Sequence, residues 1–133
     1  RFGDPECQVL MMRFEGDLVE LLLAAATEGG LANAGRPILS DEYALTVVMA
    51  ATGYPGAPDK GGLIKIGDAG DARVFHGQLV ANGGRVLNVT AQASSVTKAQ
   101  AAAYAAIDAI DFPDGFCRRD IGWREVAREK ADA

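Results

Sequence analysis

Six residues at the start of the chain, Arg1-Phe2-Gly3-Asp4-Pro5-Glu6, put a guanidinium, a glycine, two carboxylates and the opening of a helix side by side. A guanidinium next to free backbone N–H groups is a natural seat for a phosphate or carboxylate oxygen. The plainer reading is a helix capped by Asp4 with a surface arginine, because such caps are common. Other candidates are weaker. His76 ends a strand-like run, and a lone histidine is more often a hydrogen-bonded structural residue than a catalyst. The glycine-rich stretches Gly53–Gly62 and Asn82–Gly84 could let backbone approach a ligand. Neither ends in the Lys-Ser or Lys-Thr of a phosphate loop. Arg118-Arg119-Asp120 reads as an internal ion pair or a solvated edge. With two cysteines, Cys7 and Cys117, and one histidine, a zinc site would need Asp or Glu to complete it.

These residues need a scaffold, and the hydrophobic pattern supplies one. Asp4-Pro5-Glu6 predicts a helix over about Pro5 to Phe14, broken by Gly16. Asp17 opens a second helix to about Thr27, with Leu18, Leu21, Leu22 and Ala25 as its apolar stripe and Gly29-Gly30 as its stop. Leu31 to Asp41 reads as a connection and a candidate boundary between two units. Ala44 to Ala51 predicts a strand buried on both faces. After the proline-containing loop from Gly53 come short strands at Leu63–Ile66 and Arg73–His76. Asn82-Gly83-Gly84 then turns into Val86–Ala91, where Leu87, Val89 and Ala91 share one face. This is the expected central strand. Ser95 caps a helix over Val96 to about Ile110, with Val96, Ala99, Ala103, Ile107 and Ile110 as its stripe. Phe112–Gly115 is a turn, Phe116 to Trp123 a short edge strand, and Trp123 to about Lys130 a charged helix. The fold class is α+β.

Composition excludes several classes. The chain has 133 residues, 49% of them hydrophobic, enough for one ordinary domain with a core. A formal net charge of -5 with no basic run argues against nucleic acid as partner. Leu21 to Ala26 is too short an apolar run to span a bilayer, so no membrane partner is expected. Two distant cysteines with no secretory signal read as reduced thiols. The chain opens at Arg1 without a methionine, inside what reads as a motif, and so reads as a fragment or the second piece of a longer polypeptide.

In order along the chain, several stretches resemble one family. They are Arg-Phe-Gly-Asp-Pro-Glu before a helix, Asp17-Leu18, Gly53-Tyr54-Pro55-Gly56, Lys60-Gly61, Val74-Phe75-His76, Gly83-Gly84-Arg85-Val86-Leu87, Ala99 with Tyr104, and Arg118-Arg119-Asp120-Ile121-Gly122-Trp123. Together they are similar to the C-terminal part of phosphoribosylamine–glycine ligase, also called glycinamide ribonucleotide synthetase.

The resemblance implies an ATP-grasp ligase of de novo purine biosynthesis. Such an enzyme activates glycine with ATP as an acyl phosphate, which 5-phosphoribosylamine attacks to give glycinamide ribonucleotide, ADP and phosphate. It implies Mg2+ or Mn2+, a cytoplasmic location and usually a monomer. Residues 1–35 would be the C-terminal end of the helical ATP-grasp domain. Residues 36–133 would be the family's small, β-rich C-terminal domain with one packed helix. Carried over by position, Arg1 is the catalytic candidate, and Gly3 and Asp4 shape the substrate side of the cleft. His76 and Arg85 match family positions without an assigned role.

Two departures stand out. The family's metal-holding Glu and Asn precede Arg1, and the loop after His76 is shorter than usual. The N-terminal and ATP-grasp portions are therefore expected partners of this piece, which should be inactive alone. The competing reading is a non-catalytic binding or structural module that retains the fold.

Overall fold

A computed structural model describes residue 3 and residues 5–76 and 80–132. The core is one four-stranded antiparallel sheet with a long helix on one face. Its strands are β3 (Tyr43–Ala51), β5 (Arg73–His76), β6 (Arg85–Ala93) and β8 (Gly115–Cys117), in the order β5-β6-β3-β8. The period-2 pattern of β6 has the effect expected of it: Leu87, Val89 and Ala91 are fully buried, and the strand lies between two neighbours. Leu45, Val47 and Met49 of β3 share that buried face, with Val47 opposite Val89 and Met49 opposite Leu87.

The covering helix is α4 (Val96–Asp108). Ser95 caps it, its side chain accepting from the Lys98 N–H at 3.1 Å. Ala99, Ala103, Ala106 and Ile107 are its buried positions, and alanine brings the helix axis close to the strands. The helix stops two residues short of the expected Ile110. Ile110 instead opens β7 (Ile110–Asp111), which pairs with β4 (Lys65–Ile66). A two-residue strand leaves no periodicity to read.

The opposite face of the sheet carries α1 (Glu6–Arg13), which packs across β3 and β6. Thr46 and Val48 on that face are only half-buried, so β3 is not sealed on both faces as expected. One eight-residue helix is too short to cover it. Pro5 stands one position before the first helical residue, and the expected Asp4 cap lies outside the described residues.

Two expectations fail in the N-terminal third. The connection expected over residues 31–41 contains a short helix, α3 (Gly30–Ala34), and a strand, β2 (Ile38–Leu39), paired with β1 (Phe14–Glu15). Gly29, at φ +69°, turns the chain back. The Arg13 guanidinium then ties the ladder shut on the Ser40 carbonyl at 2.7 and 3.1 Å. Helix α2 (Leu18–Ala25) forms as its pattern predicts, with Asp17 accepting from the Val19 and Glu20 N–H groups. Its stripe is not buried, however: Leu18 is 36% and Leu22 56% exposed.

The C-terminal end differs in length. The edge strand expected to Trp123 is only β8, and residues 118–121 form a turn into α5 (Trp123–Ala131). Gly122 makes that turn possible. It has φ +80°, and a Cβ there would sit 2.6 Å from Leu45 Cδ1.

Candidate functional site

On the outer face of the sheet, beside the residue that precedes α1, lies a cavity of about 380 Å3. Thr46, Val48 and Ala50 of β3 form its floor, Tyr54 and Phe116 stand as aromatic walls, and Pro5 brings in the start of α1. Arg85 and Arg118 contribute the charged groups. Each is placed by a local feature. Arg85 opens β6 opposite Ala50, where β3 is irregular. Tyr54 lies so close to Gly84 that a Cβ at Gly84 would enter its ring, so glycine is required for the packing.

Arg118 belongs to a rigid turn. The Tyr104 hydroxyl donates to the Arg118 carbonyl at 2.8 Å and accepts the Ile121 N–H at 3.0 Å. Gln100 donates to the Ile121 carbonyl at 2.6 Å. Within the turn, Arg118 meets Asp120 as a fork, Nε at 2.9 Å and Nη2 at 2.7 Å. That hydrogen bond holds the Asp120 carboxyl below its usual range and the Arg118 guanidinium above its own. Arg119 goes elsewhere, with its guanidinium 5.6 Å from the Tyr104 ring centre and bonded to Asp108 at 2.6 Å. Burial raises the Tyr104 phenol and the Cys117 thiol above their ordinary values, so both favour the protonated form. The ion-pair reading of Arg118-Arg119-Asp120 therefore holds, and Arg118 also borders the cavity.

Of the residues singled out at the N-terminus, Gly3 is half-buried and its carbonyl accepts the Cys7 N–H at 3.0 Å. The Glu6 carboxylate lies against it, a flexible group that can move aside. Arg1 and Asp4 lie outside the described residues. His76 ends β5, exposed and opposite Leu87, and does not line the cavity. Gly77 and Gln78 of the loop after it are also outside the described residues. Among the described residues, no three His, Cys, Asp or Glu side chains converge as a metal site. No described helix is long and apolar enough to cross a membrane. The roles of Tyr54, Tyr104 and Phe116 leave no local pattern in the sequence. Gly84 beside an arginine was the one local signal, and it pointed to a turn rather than to a ring packed on it.

The family described as Phosphoribosylglycinamide synthetase, C domain, matches residues 44–124. A Mesorhizobium japonicum protein named phosphoribosylamine–glycine ligase is 60% identical over 98% of this chain and 33% of its own length. An Agrobacterium fabrum protein of the same name is 55% identical over 98% of this chain and 33% of its own length. A crystal structure of phosphoribosylamine–glycine ligase from Thermotoga maritima superposes with a TM-score of 0.72 at 32% identity, covering 92% of this chain and 32% of that one. The chain thus spans about a third of the length of the relatives it matches. With more than half of its residues matched, and with a sheet and covering helix that superpose on a solved relative, the chain belongs to the phosphoribosylglycinamide synthetase C-domain family.

Proposed function

We propose that this chain is the C-terminal portion of a ligase that joins glycine to 5-phosphoribosylamine with conversion of ATP to ADP and phosphate. The observation that carries this reading is 60% identity over 98% of the chain to a protein bearing that enzyme's name. Residues 1–35 close an ATP-grasp domain and residues 36–133 form the C-terminal domain. The exposed leucines of α2 support this division, since a helix with a bare apolar face is built to be covered. ATP and a divalent ion, Mg2+ or Mn2+, supply the activation chemistry in a cytoplasmic enzyme. In this reading the Glu and Asn that hold the ion precede Arg1.

In this reading Arg1 stabilises oxygens of the phosphoryl group in transfer or of the acyl phosphate, as a fixed cation does where negative charge develops. Gly3 and Asp4 shape the substrate side. A chimera tests the function. The C-terminal third of the Mesorhizobium japonicum relative is replaced by this chain, and ADP release is measured with glycine and phosphoribosylamine present. Turnover dependent on both substrates is expected. A folded but inert chimera would favour a non-catalytic module that kept the fold.

A further inference from the structure

The chain has three asparagines, Asn33, Asn82 and Asn88, in different settings. Asn33 lies in α3, where its Nδ2 donates to the Gly29 carbonyl at 3.3 Å. Asn88 lies within β6, half-buried and followed by the fully buried, β-branched Val89. Asn82 is exposed, outside any helix or strand, and followed by Gly83 and Gly84. Among the described residues, nothing hydrogen-bonds the Asn82 side chain or the Gly83 N–H. A Cβ at Gly83 would meet nothing within 4 Å.

In such a setting a backbone nitrogen attacks a side-chain amide. The Gly83 nitrogen bonds to Asn82 Cγ, the Cγ–Nδ2 bond breaks, and Nδ2 leaves as ammonia with the proton from Gly83. Water then opens the cyclic imide and returns the N–H to Gly83. Addition at Cγ gives aspartate. Addition at the main-chain carbonyl gives isoaspartate, whose backbone runs through Cβ and Cγ. Glycine favours the step because, without a Cβ, it neither shields the nitrogen nor restricts the torsions that aim it. Asp114-Gly115 is the contrast: the Gly115 N–H is committed to the Phe112 carbonyl at 3.0 Å, and its Cα lies against the Phe112 ring.

The product would fall on a short bridge between two anchors. Ala81 accepts the Gly61 N–H at 2.8 Å and donates to the Gly62 carbonyl at 3.1 Å. The Gly84 carbonyl accepts the Ala51 N–H at 2.8 Å, and its Cα lies against the Tyr54 ring. Isoaspartate puts an extra atom into the backbone between them and a carboxylate beside it, next to the cavity that Tyr54 and Arg85 line. We propose that Asn82 is a site of spontaneous conversion to isoaspartate, and that the product displaces the Gly84 rim of this cavity. The chemistry uses only this chain and water, so it does not rest on the ligase reading.

The test holds the folded chain in warm, mildly alkaline buffer and maps its peptides by mass over time. Acid conversion at Asn82 is expected at least about tenfold faster than at Asn33 or Asn88, with isoaspartate the larger product. Gly83→Ala should slow it by a similar factor and keep the parent's amide spectrum, since the space there is open. In aged protein the amide signals of Tyr54, Gly84 and Arg85 should move. Asn82→Asp, which adds the charge without the extra atom, should leave Tyr54 in place. Equal rates at the three asparagines, an unchanged rate in a folded Gly83→Ala, or aspartate without isoaspartate would each overturn the modification site. Unmoved Tyr54 and Gly84 signals in the isoaspartate form, or the same Tyr54 shift in Asn82→Asp, would overturn the displacement.

Discussion

Glu129, near the end of the chain, holds Thr97 at the start of α4. Its Oε2 accepts the Thr97 hydroxyl at 2.7 Å and the Thr97 N–H at 2.9 Å, while Oε1 accepts the Val96 N–H at 2.6 Å. A carboxylate from α5 thus satisfies two of the N–H groups that α4 cannot pair internally, at the positive end of its dipole. The Thr97 hydroxyl bond, and then the backbone bonds, lower the Glu129 carboxyl below its ordinary 4.5. Because the folded value lies below the unfolded one, the contribution is fully present above pH 4.5 and is lost as pH falls through the folded value. The Thr97 amide shift is expected to titrate with a midpoint below 4.5, and the Glu129→Gln variant to lack that step. A midpoint above 4.5 would mean the carboxylate gains nothing from the contact.

Leu87 is fully buried in β6. Leu87→Ala should cost about 2–5 kcal/mol, the range for a leucine whose space cannot collapse. Lys98→Ala, on the exposed side of α4, should stay within about 0.5 kcal/mol. Denaturant midpoints of both variants against the parent check this. Equal midpoints for Leu87→Ala and the parent would contradict a central β6.

Thr46 and Thr90 are cross-strand partners whose hydroxyls bond at 2.7 Å, with Thr90 fully buried. Either single change to valine strands one hydroxyl, whereas the double change removes both. A double-mutant cycle should give a coupling of about 0.5–1.5 kcal/mol. Additive single effects would mean that water replaces the lost partner at no cost.

For Arg1, proposed as the catalytic group, the conservative change is the informative one. Lysine keeps the charge and loses the planar fork that grips two oxygens. In the active chimera, Arg1→Lys should lower kcat by about 100-fold, the scale seen when one transition-state donor is lost, and alter ATP binding far less. Near-normal turnover would return Arg1 to the role of a surface residue beside a capped helix.

What could be read in advance follows the range of the interactions involved. β6 and α4 were legible because Leu87, Val89 and Ala91, and Ala99, Ala103 and Ile107, carry their own periodicity. α2 was legible as a helix, yet its stripe did not reveal what would cover it. β1 and β2 were missed because pairing Phe14 with Leu39 depends on a reversal at Gly29 that two-residue strands do not announce. The cavity was missed for a similar reason. The bonds from the Tyr104 hydroxyl span 14 and 17 residues, and only the fold brings those partners together.

Gly122 meets two demands that do not trade against each other. Its backbone lies in the left-handed region, and its missing side chain leaves room for Leu45. Trimming Leu45 would open space for a methyl group and leave the backbone objection untouched. Asparagine tolerates the backbone better but adds its own bulk toward Leu45. Single-step drift at this position therefore has no compensating neighbour to meet it halfway. The turn that presents Arg118 is pinned to β3 by the absence of one carbon atom.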